Sequence, residues 1–273
     1  MVIDVHTHYV ALGQWKPEVE EWVRSMNSDL SPFYGKDGSF NREAFLAMMD
    51  RIGIDYAVVL AEVAPAVTGI VTTDEVLEFC EGCERLIPFA SINIHMSPEP
   101  AREFERYLER GCRGLKVHPV HQLFYPNDPR MYPLYDIAQA AGVPVMVHTG
   151  SSIFPGAKMK YGDPLYLDEV AVDFPDLTII MSHGGRGFWY DRAEFLAQIR
   201  KNIYIDVCGL PLHRLLQFFP KLERNHRKFV FGSDWPGGDV ERSLKGLLSL
   251  PISEEAKEAI LYKNAAGILG IAW

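Results

Sequence analysis

The chain has 273 residues, 48% of them hydrophobic and 23% charged, which is the composition of an ordinary water-exposed globular protein. A net charge of -9 and a pI near 5.5 argue against nucleic acid or an anionic membrane as the main partner. No apolar run reaches transmembrane length, and the first candidate site begins at residue 4, which leaves no room for a signal peptide, so a cytoplasmic location is expected.

Val2-Ile3-Asp4-Val5-His6-Thr7-His8 opens the chain as a short strand ending in two histidines. Side chains alternate along a strand, so His6 and His8 face the same way and can close on one ion. A long irregular stretch follows, roughly Tyr9 to Phe40, carrying Trp15, Trp22, Phe33 and Tyr34. It is expected to be either a lid or pocket wall, or helical decoration on a rim. From residue 41 a rhythm sets in. Asn41 caps a helix ending near Gly53, and Tyr56–Leu60 is a buried strand. Thr72 or Thr73 opens a second helix before a strand over Leu86–Ile94. Pro98 begins a third helix, closed by Gly111, and Gly114–His118 is the fourth strand. A helix over 130–141 ends at Gly142 and leads into Val143–His148. One over 163–173 precedes Leu177–His183, and one around 190–200 precedes Ile203–Val207. A helix near 211–222 leads to Lys228–Asp234, and helices over 239–249 and 253–269 finish the chain.

Eight apolar strands alternating with helices predict one (β/α)8 barrel spanning 1–273 as a single domain, with an inserted region after strand one. An open doubly wound sheet is the alternative, but its glycine fingerprint after strand one is missing. The strand ends carry His6, His8, His118, His148, His183 and Asp234. In a barrel those ends share one face, where such folds build their sites. Nine histidines placed at random would seldom put five there.

The motifs Asp4-Val-His-Thr-His8, Gly114-Leu-Lys-Val-His-Pro119, Val147-His-Thr-Gly150, Met181-Ser-His-Gly-Gly185 and Phe231-Gly-Ser-Asp-Trp-Pro236 run from the first strand to the last. Together they resemble the amidohydrolase superfamily, in the branch of aminocarboxymuconate semialdehyde decarboxylase and related hydrolases and decarboxylases. The resemblance implies that His6, His8, His148 and Asp234 bind one divalent metal, with zinc the expected ion and manganese or another divalent ion the alternative. It implies that His183 stands beside the metal-bound water, and that Asp234 and His183 are the catalytic pair. Hydrolysis of a small amide, ester or lactone is the leading expectation. Decarboxylation of an aromatic or unsaturated acid is the second, and a non-catalytic binding barrel is the reading from another class. The expected partner is a small-molecule substrate, and related barrels often pair as homodimers.

Other residues are weaker candidates. Lys116 is either a carbamylated bridge between two metals or a buried lysine paired with a carboxylate. Asp4 supports the histidines or a turn. Glu62 and Asn93 contact substrate or are plain rim residues, while Arg186 and His121 hold a substrate carboxylate or are solvated. Gly184 and Gly185 make a close turn that leaves room for substrate, or an ordinary one. Trp235 and Pro236 shape the pocket or cap the barrel. Cys80 and Cys83 have metal-knuckle spacing without a second pair, so reduced thiols are the better account.

Overall fold

The computed structural model describes residues 1–9, 12–26 and 29–272. Eight strands run parallel: β1 (Ile3–His8), β2 (Tyr56–Leu60), β3 (Leu86–Phe89), β4 (Leu115–Val117), β5 (Val145–Gly150), β6 (Ile179–Arg186), β7 (Ile203–Asp206) and β8 (Phe229–Val230). β1–β2–β3 form one ladder and β4 to β8 another. Backbone hydrogen bonds join the two. Lys116 N donates to the Ala90 carbonyl at 2.7 Å, while Val5 N donates to Phe231 O at 2.9 Å and His8 N to Trp235 O at 2.8 Å. The strands therefore close into the expected (β/α)8 barrel.

Alternation sorts the strand side chains. Val58, Leu60, Ile87, Phe89, Met146, Ile180 and Val230 form one buried cluster, and Ala57, Val59, Leu86, Val145, Val147, Ile179 and Ile205 pack in another with the helices. His148 shares parity with Met146, and Ser182 with Ile180, so both project into the ring. Two register shifts, between Asp4 and Thr7 and between His148 and Gly150, fall where histidines leave the ladder. Such bulges re-aim side chains beside active sites.

Helix ends follow local chemistry. Asn41 accepts from Ala44 N to open Arg42–Ile52, and Gly53 closes it at φ 90°. Thr72 and Glu75 form a reciprocal capping box for Thr73–Cys80.

Several elements differ from the sequence expectation. The third strand stops at Phe89 rather than Ile94, because Asn93 folds the chain back: its Oδ1 accepts from His95 N and its Nδ2 donates to Val63 O. The next helix starts at Pro100, not Pro98, with proline in its first turn where the missing N–H costs nothing. The helix near 211–222 is two short turns, Leu212–Arg214 and Leu215–Phe218. It ends at Phe219, whose backbone (φ -128°, ψ 78°) has left the helical region, as the residue before Pro220 must. The last helix contains a π segment, Ala259–Lys263, and its Ile260 carbonyl accepts from Phe231 N at 2.9 Å, tying the C-terminus to the β8 segment.

A hairpin not anticipated from the sequence, Glu62–Ala64 with Gly69–Val71, follows β2. It docks the segment after β1, as Lys16 N donates to Thr68 O and Ile70 N to Gln14 O. Gly69 permits this approach: a Cβ there would lie 2.2 Å from Gln14 O. That segment then forms a helix, Pro17–Met26, with Val19 and Val23 buried. Residues 10, 11, 27 and 28 of the 9–40 stretch lie outside the described residues. Among the described residues no helix is long and apolar enough to cross a membrane.

Candidate metal centre

His6 comes from β1 with its ring wholly buried. Its Nδ1 lies 2.6 Å from Asp206 Oδ2 at the end of β7. A proton held on that nitrogen by the carboxylate leaves Nε2 with a free lone pair. Nε2 stands 3.3 Å from His8 Nε2 and 3.4 Å from Asp234 Oδ1, and His8 Nε2 is 3.6 Å from the same oxygen. Tetrahedral coordination with bonds of about 2.0–2.2 Å separates its ligands by roughly 3.3–3.6 Å, so these three atoms have the spacing one ion requires.

His148 stands in the next rank. Its ring centroid is 4.6 Å from that of His183, and its buried Nε2 has no hydrogen-bond partner among the described residues. An unpaired lone pair or N–H there is costly unless something else binds it, which fits a ligand role. His183 reaches the same space by an irregular route. Ser182 already points into the ring, where its hydroxyl accepts from Lys116 Nζ at 2.8 Å, so strict alternation would turn His183 away. A left-handed backbone at His183 (φ 62°), continued by Gly184 and Gly185, swings it inward. Its Nδ1 faces the Cys208 carbonyl at 3.1 Å and Asp234 Oδ2 at 4.0 Å. Asp234 is also left-handed, at φ 67°.

Electrostatics follow burial and contact. Burial holds the rings of His6, His118, His148 and His183 well below the usual imidazole range, so they are neutral at pH 7. Burial also pushes Asp206 up to about 7. Burial opposes ionisation of Asp234, but the hydrogen bond to His8 and the electrostatic pull of the His6 and His8 rings and of Arg186 outweigh it and hold the carboxyl at about 2.

Above these groups lies a cavity of about 300 Å³. Trp15, Trp22, Phe154, Val19 and Val23 form apolar walls, and His8, His118, His148, His183 and Asp234 reach its surface. The post-β1 stretch is thus both helical and a pocket wall. Arg186 also faces the cavity, half-buried, its Nη2 donating to Ser151 O at 3.2 Å. A second cavity, about 680 Å³, shares Trp22, Arg186, Asp234 and Gly237 with the first. Gly209 stands at the junction, where a Cβ would lie 2.7 Å from Asp234 Oδ2, 2.8 Å from Arg186 Nη1 and 3.1 Å from His183 Nδ1.

The remaining candidates find definite places. Glu62 is buried: His8, His118 and His121 face it at 3.9, 3.9 and 3.1 Å, and Thr68 donates to it at 2.5 Å. His8, Glu62 and His118 form a second group whose ligand atoms all lie within 4.8 Å. His121 is buried rather than solvated, with Nε2 2.9 Å from Ser152 Oγ. Lys116 has no carboxylate in salt-bridge range among the described residues, and its neighbours are Ser182 and His6 Nε2, the latter at 3.4 Å. Asp4 accepts from the backbone N–H of His6 and Ser233 and so laces β1 to the β8 segment instead of holding a ring. Asn93 ties a turn and lines neither cavity. Gly184 and Gly185 also line neither, packing against Phe219 and Trp189. Trp235, joined to Pro236 by a cis bond, packs between Phe33, Phe40 and Phe45 and belongs to the barrel's cap. Sequence reasoning missed Asp206 and Cys208. Asp206 ends an apolar strand exactly as the histidines do theirs, which was the available signal.

A barrel with imidazoles and a carboxylate converging at its strand ends defines a class of metal-centred enzymes. The chain belongs to the amidohydrolase family, whose profile matches residues 3–271. A search of curated proteins finds no match. Among solved structures, an uncharacterized TIM-barrel protein from Bordetella bronchiseptica is similar at 24% identity and a TM-score of 0.82, covering 99% of this chain and 98% of that one. A dihydroxybenzoic acid decarboxylase from Polaromonas sp. JS666, with bound manganese and 2-nitroresorcinol, is similar at 18% identity and TM-score 0.74, covering 99% and 97%. A 4-oxalomesaconate hydratase from Rhodopseudomonas palustris is similar at 18% identity and TM-score 0.68, covering 99% and 96%.

Proposed function

We propose that this protein is a divalent-metal enzyme that removes the carboxyl group of a small planar unsaturated or aromatic acid as carbon dioxide, without redox change. The observation that carries the reading is the 300 Å³ cavity, in which two indoles and a phenyl ring stand over the imidazole–carboxylate cluster with Arg186 at the side. Aromatic walls favour a flat ring by stacking, and a guanidinium suits a carboxylate. The manganese-bound decarboxylase among the similar structures supports the same choice.

His6, His8, His148 and Asp234 would hold the ion, with Asp206 fixing the His6 tautomer. When bound, such an ion acts as a Lewis acid on substrate oxygens and lowers the pKa of water. His183 Nδ1 lies 3.1 Å from the Cys208 carbonyl, and the tautomer that donates its proton there leaves Nε2 free to exchange a proton in the cavity. The resting pair, an ionised Asp234 beside a neutral His183, first takes one proton from solvent and then delivers it to the ring carbon as the bond to the carboxyl carbon breaks. The apolar walls exclude water and strip hydration from the departing carboxylate.

Hydrolysis, the first expectation from the sequence, keeps support from Asp234. A carboxylate held ionised beside a neutral imidazole also suits it as base toward water. Cytoplasmic location, action on a small molecule and pairing into a homodimer remain parts of the proposal.

The test is a substrate panel with zinc- or manganese-loaded protein. Ring-hydroxylated benzoates should release carbon dioxide and the corresponding phenol. Turnover confined to esters or lactones, with no carbon dioxide, would replace this reading by hydrolysis.

A further inference from the structure

The Cys208 thiol has no part in the chemistry above, yet it lies inside the cluster. The residue follows β7 and is fully buried. Its Sγ is 2.9 Å from His6 Nδ1 and 3.1 Å from His183 Nδ1. One ligand atom each from His6, His183, Cys208 and Asp234 lies within 4.8 Å of every other. The backbone fixes this placement: Cys208 N donates to Asp206 Oδ1 at 2.9 Å, and Gly209 follows with φ 61°. A buried free cysteine usually behaves as a small inert hydrophobe packed among apolar groups. Here its neighbours are two imidazoles, and a carboxylate is within reach.

Donor softness separates the two sides of this centre. His6 Nε2, His8 Nε2 and Asp234 Oδ1 offer nitrogen and oxygen, which suit manganese and zinc alike. Cys208, on the His183 side, adds a sulfur that only thiophilic ions use well.

We propose that Cys208 is a conditional ligand: with zinc, cobalt or cadmium it joins His6, His183 and Asp234 around the ion, and with manganese or magnesium it stays a thiol. Coordination forms one metal–sulfur bond and breaks the S–H bond, and the proton leaves to solvent, so each ion bound this way releases one proton from sulfur. The cysteine thereby sets which ion the centre retains. The inference rests on the metal reading made above, though not on the reaction assigned to it.

The experiment uses the whole protein, stripped of metal and titrated with cobalt(II), alongside Cys208→Ser and Cys208→Ala. The wild type should develop sulfur-to-cobalt charge-transfer absorption in the near ultraviolet as one equivalent binds. Both variants should bind cobalt without that band, although Cys80, Cys83 and Cys112 remain. Their cadmium-over-manganese preference, from chelator competition, should fall at least tenfold. Stoichiometric cobalt binding by the wild type without the band, or a band that persists in Cys208→Ser, overturns the proposal and leaves the metal reading standing. Failure of the wild type to bind cobalt, zinc or manganese overturns both.

Discussion

Asp206 Oδ2 lies 2.6 Å from Nδ1 of His6, while Nε2 of the same ring faces His8 and Asp234. The contact spans 200 residues of sequence and sets which nitrogen carries the proton. Outer carboxylates of this kind change metal affinity by about 10–100-fold when removed. Asp206→Leu should therefore weaken metal binding by that factor with the four ligands intact. Chelator competition measures it, and a change below twofold would contradict the role.

His183 and Asp234 should separate in their effects. In the manganese-loaded protein, His183→Asn should keep the metal but lose about 10²–10⁴ in kcat, the range for a missing proton-transfer group. Asp234→Asn should lower both metal content and turnover. Elemental analysis beside steady-state kinetics distinguishes the two, and loss of manganese in His183→Asn would make that histidine a ligand to manganese as well.

Among the described residues the Arg186 side chain makes one hydrogen bond, to Ser151 O, and it faces both cavities. If it holds the substrate's carboxylate, Arg186→Gln should raise KM by roughly ten- to a hundredfold, matching about 1.5–3 kcal/mol for a charge-assisted hydrogen bond. Trp15→Ala should also raise KM, through lost stacking. Unchanged KM in both variants would move the substrate out of the 300 Å³ cavity.

Gly209→Ala tests the crowding at the junction of the cavities. The new methyl would meet Asp234, Arg186 and His183 at 2.7–3.1 Å on a backbone with φ 61°. The left-handed conformation alone costs about 1–2 kcal/mol for an alanine. Activity should be lost with only a modest fall in Tm, since the collisions are with side chains of the site.

Glu62 gives the metal-free protein an acid-sensitive link between the hairpin and His121. Burial opposes its ionisation, but the hydrogen bond from His121 and the charges of His121 and His8 hold it at about 2 against an ordinary 4.5. The folded state thus binds this proton less tightly than the unfolded chain. Its stabilisation is complete above the ordinary value and is lost as pH falls through about 2. Urea unfolding across that window should show a shallower acid decline in Glu62→Gln; identical slopes would remove Glu62 from the account.

The barrel was legible because buried strands and capped helices alternate in a regular rhythm. The His6–His8 pair was legible because two residues apart on a strand means one face. His183 was placed at the site by its strand-end position and given its role by resemblance, yet alternation would have sent it outward; the left-handed turn at 183–185 brings it in. Asp206 escaped notice because its partner is 200 residues away, and the hairpin that carries Glu62, itself named as a candidate, did so because its three-residue strands are too short to show a period. The Phe89 strand end and the broken 211–222 segment turned on Asn93 and Pro220, single residues whose effect depends on neighbours.

Most of the cavity's apolar wall is carried by 14–26, anchored on 62–71, with Phe154 added from the loop after β5, whereas His6, His8, His148, His183 and Asp234 sit at or just beyond barrel strand ends. Reactivity and selectivity are consequently written on separate stretches of chain. Exchanging the two wall stretches as a unit would graft a different substrate preference onto an unchanged catalytic chassis, and drift in that wall would let descendants of one barrel diverge in diet while keeping their chemistry.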